Sequence, residues 1–167
     1  MTIVRPLAAS HSEERFRDMF AHHHPAIYGY AARRVGRVDA ADVAAETFTV
    51  AWRRLRRVPE EPATLPWLYG VARNVVANLE RSRRRAERLA AKEAAVAGSE
   101  AAVEMAADLA AALDQLRDDE KEILLLAAWE GLTPSQIGEV VGCSPNAAAV
   151  RLHRARTRLA DAMEGEI

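Results

Sequence analysis

Cysteine is almost missing from this chain of 167 residues, in which Cys143 stands alone. One thiol cannot form an internal disulfide or a cysteine-based zinc site, and such scarcity fits a reducing compartment. Aromatic residues are also few, at 5%, so the cores have to be built largely from aliphatic side chains. No stretch reaches the roughly 18 uncharged apolar residues that a membrane span requires. The opening MTIVRPLAASHSEERF has no apolar run of the signal-peptide kind, which makes the cytoplasm the expected location. Alternation of β-branched residues is absent over any useful length, while Ala, Leu, Arg and Glu abound; helix is the expected state nearly everywhere. An all-α fold follows, and a half-apolar chain of this length can fill one ordinary core or two small ones.

An excess of charge of one sign is missing too, with 23 Lys and Arg against 24 Asp and Glu. The charges are nevertheless sorted along the chain, and local fields rather than the total steer a polyanion. Between Arg53 and Lys92 there are eleven basic side chains and four acidic ones. From Glu93 to Glu120 eight acidic residues face only Arg117, and a second basic run follows at Arg151, Arg154, Arg156 and Arg158.

An N-terminal helix carries Phe16 and Phe20 and continues through Ile27 and Ala31, with Pro25 after HHH expected to mark a joint. The next helix runs from Asp39 to about Arg57. Its residues Ala44, Phe48, Ala51, Trp52 and Leu55 fall at helical spacing on an expected buried face, with Asp42, Glu46, Thr49 and Arg53 opposite. The run VPEEPATLP then makes a stiff loop, ended by Thr64 as cap with Pro66 in the first turn of a new helix. Along that helix Leu68, Val71, Ala72, Val75, Val76 and Leu79 are apolar, whereas Asn74, Asn78, Arg81 and Arg85 line up on the other side as donors suited to nucleic acid. Residues 89–108 are Ala/Glu-rich with Gly98 and Ser99 in the middle and lack large apolar anchors, so they are assigned as an acidic tether. It separates a domain at 10–88 from one at 109–163.

In the second domain Leu109, Leu113 and Leu116 begin a core, and Asp119 with Glu122 has capping-box spacing before ILLLAAW, which ends at Gly131. Thr133, Pro134 and Gln136 match N-cap, N1 and N3 of a short helix that stops at Gly142, and Ser144-Pro145 opens another. Two capped helices around a tight turn are the sequence image of a helix-turn-helix, whose second helix enters the major groove by its N-terminal end. There Ala148, Leu152, Ala155 and Leu159 face inward, and Asn146, Arg151, Arg154 and Arg158 face outward toward phosphates and base edges. A lone outward arginine is ordinarily a solvated surface charge. The joint pattern on two helices is what favours DNA.

Three segments, DAADVAAETFTVAW, LPWLYGVARNVVANLERSRRR and LTPSQIGEVVGCSPNAAAVRLHRARTRL, resemble in order and spacing the signatures of extracytoplasmic-function (ECF) sigma factors of the sigma-70 family, over roughly residues 14 to 163. The resemblance implies that Asp39, Asp42, Glu46, Thr49 and Arg53 belong to a helix docking on the β′ coiled coil of core RNA polymerase, with Phe48 and Trp52 on its core side. It implies capture of the melted −10 strand by the loop Pro59, Glu60, Glu61, Pro62, Ala63, Thr64 and by Asn74, Asn78, Arg81 and Arg85. For the −35 element it implies Thr133, Ser144, Asn146, Ala147, Val150, Arg151, Arg154 and Arg158, with the other side of that domain on the β flap. Promoter DNA and an anti-sigma factor are the further partners it implies; no cofactor, metal or catalytic residue is expected. Ala45 stands where the family often has glutamine, and Ala147, Ala148 and Ala149 where it frequently has Thr-Val-Lys, which shifts −35 reading toward Asn146, Val150, Arg151 and DNA shape.

Two other readings compete. A helix-turn-helix regulator acting without polymerase would need neither the Asn74 to Arg85 strip nor the docking-like helix. A helical metal-dependent phosphohydrolase could draw on His22, His23 and His24 with Asp39 and Asp42, but consecutive helical residues diverge by about 100° and no His-Asp dipeptide is present.

Overall fold

The computed structural model describes residues 10–90 and 107–164. Six helices account for most of them: α1 (His11–Arg53), α2 (Thr64–Ala90), α3 (Ala107–Asp114), α4 (Asp118–Ala128), α5 (Pro134–Val141) and α6 (Pro145–Glu164), with one 3₁₀ turn at Leu55–Arg57. Among the described residues there is no strand, and no helix is long and apolar enough to cross a membrane. Most of the expected tether, residues 91–106, lies outside the described residues; its first positions continue α2 and its last open α3.

Ser10 starts α1 with a capping box, its hydroxyl accepting from the Glu13 backbone N–H while the Glu13 carboxylate takes the Ser10 N–H. The helix then runs through Pro25, so the joint expected there is not found. A proline removes one backbone donor, but here the helical torsions continue past it. The break comes at Gly36, whose φ of 80° and ψ of 166° suit glycine because no Cβ meets the backbone. It turns the second arm of α1 back so that Val43, Ala44, Phe48 and Ala51, with Leu55 of the 3₁₀ turn, pack with Ile27, Tyr30 and Ala31 of the first arm and Leu68, Ala72 and Val76 of α2. Trp52, expected on the buried face, is 45% exposed. Ala51 and Trp52 are about 100° apart on the helix, and the core takes Ala51.

In the C-terminal half Leu113, Leu116, Ile123, Leu124, Leu126, Ile137, Val140, Ala148, Leu152 and Ala155 are buried in the same apolar cluster, which runs on from the N-terminal half. The cap of α4 differs from the Asp119 and Glu122 box expected. Arg117 is the N-cap and Glu120 the third helical residue, its carboxylate accepting from the Arg117 backbone N–H at 3.3 Å. Asp119 sits inside the first turn, and Glu122 points to the other half of the molecule. The caps of α5 and α6 agree with expectation: Thr133 and Gln136 bond reciprocally, Gly142 adopts φ 76°, and Ser144 Oγ accepts from Ala147 N–H at 3.2 Å. Gly138 is required for a different reason. A Cβ there would lie 2.6 Å from the Cys143 carbonyl oxygen, so the turn closes against a bare helix surface.

The two halves are in contact. Gly70 of α2 approaches the Val140 backbone of α5, and beside this apolar contact lies a polar cluster. Arg34 donates to both carboxylate oxygens of Glu122 at 3.0 and 3.3 Å, and Tyr30 Oη donates to Glu122 at 2.9 Å. Arg33 and Arg34 both reach Glu130, at 2.5 and 3.3 Å, and Tyr69 Oη donates to it at 3.4 Å. The Arg34 guanidinium lies 3.6 Å from the centre of the Tyr30 ring, and Arg33 lies over Trp129. The Arg34 and Glu130 side chains are only 8% and 2% exposed, so this is a desolvated network. Burial raises both phenols, Tyr69 to about 12 and Tyr30 well beyond the ordinary range, so each remains an O–H donor.

Candidate nucleic-acid interface

On α2 the expected donors stand outward. Asn74, Asn78, Arg81 and Arg85 are exposed while Leu68, Ala72 and Val76 are buried beneath them. Arg81 donates to the Asn78 side-chain oxygen, which orients both groups. The strip extends beyond the residues expected, because Arg81, Arg84, Arg85 and Arg88 line one open groove at the end of the helix. Four guanidiniums with few carboxylates near them form a field suited to a phosphate backbone; Glu80, near Arg84 at 3.8 Å, is the local counter-charge.

Ahead of α2, the loop Pro59 to Thr64 is fastened on both sides. The Thr64 hydroxyl does not cap the helix as expected but donates to the Pro59 carbonyl at 2.8 Å. Ala63 N–H bonds the Glu60 carbonyl at 3.0 Å. Glu60 and Glu61 carry exposed carboxylate side chains, 87% and 59%. The histidine run divides among three surroundings: His22 is exposed, His23 is buried against Glu61, and His24 packs on Phe20 and Phe48. Their divergence gives the metal-dependent hydrolase reading no shared ligand set, and among the described residues no three His, Cys, Asp or Glu side chains are grouped to hold a metal ion.

The second arm of α1 presents Asp42, Glu46 and Arg53 to solvent, as expected. Asp39 is instead paired with Arg83 of α2, and the Thr49 hydroxyl donates to the Ala45 carbonyl at 2.8 Å. Beside this stripe Trp52 stands edge-on to Phe16 with centroids 5.1 Å apart, and Phe20 meets Phe48 at 4.8 Å. Glu13, Phe16, Arg17, Phe20 and Trp52 together line an apolar groove, of which only Trp52 was expected on a buried face.

On α6, Asn146, Val150, Arg151 and Arg154 are exposed and Ala147 is half-buried, while Ala148, Leu152 and Ala155 face the core. Arg158 is exposed as expected and also makes an internal ion pair. Its guanidinium donates to both carboxylate oxygens of Glu120 at 2.6 and 2.8 Å, so it braces α6 on α4. Hydrogen bonds from Arg117 and Arg158 hold the Glu120 carboxyl at about 2, far below the usual carboxylate range.

The chain therefore carries an Asn/Arg strip on one domain and a helix-turn-helix on the other. These halves match two family models: residues 19–86 match Sigma-70 region 2 and residues 106–159 match Sigma-70, region 4. The RNA polymerase sigma factor CarQ of Myxococcus xanthus is 31% identical over 162 residues, which cover 93% of this chain and 92% of CarQ. The chain is an RNA polymerase sigma factor of the ECF type. A further relative of this sigma factor, the probable RNA polymerase sigma factor RfaY of Xanthomonas campestris, is 32% identical over 126 residues, covering 69% of this chain and 32% of that longer protein. Among solved structures, the sigma factor RpoE of Bartonella quintana, in complex with the anti-sigma factor NepR, superposes with a TM-score of 0.69 at 21% identity, over 90% of this chain and 98% of that one. CnrH in complex with the cytosolic domain of CnrY gives 0.67 at 24% identity, over 95% and 93%. The sigma factor thus shares the two-domain helical fold of both.

The interdomain residues Tyr30, Arg33, Arg34, Tyr69 and Glu130 were not singled out from the sequence, and Glu122 only as half of a capping box. Glu130 carried one local signal, a carboxylate directly after the apolar run ILLLAAW.

Proposed function

We propose that this sigma factor joins core RNA polymerase through the second arm of α1, opens and captures the −10 strand with the Pro59 to Thr64 loop and the α2 strip, and reads the −35 element with the N-terminal part of α6. The observation that carries the reading is the simultaneous exposure of Asn74, Asn78, Arg81 and Arg85 on one domain and Asn146, Val150, Arg151 and Arg154 on the other. A factor that only bound duplex DNA would need the second set alone. Unstacking a base costs a few kcal/mol, offset by a fitted pocket and phosphate contacts, and the α2 arginines would supply the latter. Asp42, Glu46 and Arg53, with the Phe16, Phe20 and Trp52 groove beside them, form the docking surface, where Asp39 and Thr49 serve its shape through their internal bonds. The far side of the C-terminal domain meets the β flap, and Thr133 and Ser144 offer helix-terminal contacts to phosphates. The factor directs transcription without catalysing a reaction, works in the cytoplasm and needs no cofactor. Likeness to chains solved with an anti-sigma factor supports such a partner here.

Run-off transcription with purified core polymerase and genomic promoter fragments, with and without the protein, tests the assignment. Specific transcripts that appear only with the factor are expected. Absence of transcripts and of core binding, with a footprint from the protein alone, would instead indicate a regulator that acts without polymerase.

A further inference from the structure

The loop from Pro59 to Thr64 can do little to hold its own shape. Two of its six residues are prolines without an N–H, and its described internal bonds are Ala63 N–H to Glu60 and the Thr64 hydroxyl to Pro59. Besides the Trp67 N–H bond to the Ala63 carbonyl from α2, side chains of the first arm of α1 support it. Arg15 lies at the loop's entry. One of its terminal nitrogens donates to the Leu55 carbonyl at 2.9 Å, and the other to the Val58 carbonyl at 2.8 Å and to the Glu60 carboxylate at 3.0 Å. Two turns further along the helix His23 lies under the loop's tip, its Nε2 2.6 Å from Oε1 of Glu61. Met19, buried, stands between them. Positions 15, 19 and 23 repeat every four residues and so form one stripe of the helix.

The burial is uneven in an informative way. The His23 side chain is 4% exposed and Glu61 59%. The histidine is therefore fixed by packing, and the carboxylate is held from one side while much of it faces solvent. Arg15 and Glu60 repeat the arrangement at 30% and 87%. An anchored donor beneath and an exposed acceptor above restrict a surface side chain before any ligand arrives, which lowers the ordering cost of binding. Neither Arg15 nor His23 belongs to the α2 strip, the α6 helix or the exposed stripe on the second arm of α1.

We infer that Arg15 and His23 are positioning residues for promoter-strand selectivity: they clamp the Pro59 to Thr64 loop on α1 and fix where Glu60 and Glu61 meet an unstacked base. The inference rests on the proposed role of that loop in capturing the −10 strand. The middle histidine of the HHH run thereby has a function in DNA discrimination without touching DNA. Charge-assisted hydrogen bonds of this kind are the stronger ones, and losing one frees the loop tip to accept several bases.

The test uses holoenzyme assembled from core polymerase and the full chain. The probes are fluorescent single-stranded −10 oligonucleotides, taken from a promoter active in run-off transcription, with each of the four bases in turn at each position. His23→Leu and Arg15→Met should narrow the affinity spread among the four bases by about tenfold, with binding to a −35 duplex unchanged. His23→Gln retains an N–H donor and should restore most of the spread, which a general loss of stability would not allow. Because His23 is buried, Arg15→Met carries the test if His23→Leu does not fold. If Glu61→Ala changes the spread while His23→Leu or Arg15→Met leaves it intact, the clamp is refuted and the strand-capture role of the loop stands. If Glu61→Ala and the clamp variants all leave strand binding unaltered, the role assigned to the loop fails and the clamp with it.

Discussion

Arg151 and Arg158 look equivalent in the sequence, two helical turns apart on one basic face, yet they have different occupations. Arg151 is exposed and makes no described bond, whereas Arg158 grips Glu120. Arg151→Ala should therefore lower holoenzyme affinity for promoters with a −35 element, by about 1 to 3 kcal/mol if it reads a base edge, while leaving the melting temperature in place. A contact with phosphate alone would instead reduce the salt dependence. Arg158→Ala should lower the melting temperature of the protein. Titration of the same promoter at several salt concentrations, alongside thermal melts, separates the two. Glu120 adds a pH signature. Its carboxyl sits at about 2 when folded against an ordinary value near 4.3, so the folded state favours the ionised form. The stabilisation is complete above the ordinary value and is lost as pH falls toward about 2. Circular-dichroism melts across that window should show the wild type losing stability more steeply than Glu120→Gln.

At the scale of elements, the helix-turn-helix responds most sharply at Gly138. Gly138→Ala would push a methyl against the Cys143 carbonyl, and relief of the overlap should cost about 1 to 3 kcal/mol, measured by denaturant unfolding. A fall below the lower figure would mean that the turn yields easily. This motif was also the most legible part of the chain, because Thr133, Gln136, Gly142 and Ser144 act through bonds to residues three or four positions away. Elsewhere local rules competed. The missing N–H of Pro25 suggested the joint, but packing kept that helix running and the flexible backbone of Gly36 took the turn. A capping-box spacing at Asp119 and Glu122 was present, but Arg117 and Glu120 formed the cap, and Glu122 was drawn to Arg34. Trp52 fitted an apolar stripe by spacing, and only the three-dimensional core distinguished it from Ala51. The Asn and Arg strip of α2 followed directly from periodicity, whereas the support of the loop by Arg15 and His23 depended on contacts 38 to 43 positions apart.

For the molecule as a whole, the decisive contacts are longer still: Arg34 meets Glu122 across 88 positions and Arg33 meets Glu130 across 97. No periodicity reports such pairs, which is why the sequence reading gave two tethered domains and not their mutual packing. Removing one partner of a buried network leaves the others desolvated and unpaired, at a cost of about 3 to 5 kcal/mol. Glu130→Ala should therefore release the two halves, seen as a larger radius of gyration in small-angle scattering and as two thermal transitions in place of one. An unchanged scattering curve would show that the apolar contact near Gly70 and Val140 suffices to keep them together. The division of labour in the network is one-sided: the N-terminal half supplies guanidiniums and phenols, and the C-terminal half supplies carboxylates. Neither half can change its contribution alone without burying an unmatched group. Across related chains, positions 33, 34, 122 and 130 should consequently be inherited as a set, so that a lineage lacking the carboxylate at 130 also lacks the arginine at 33, and the packing of the domains leaves a record in sequence covariation.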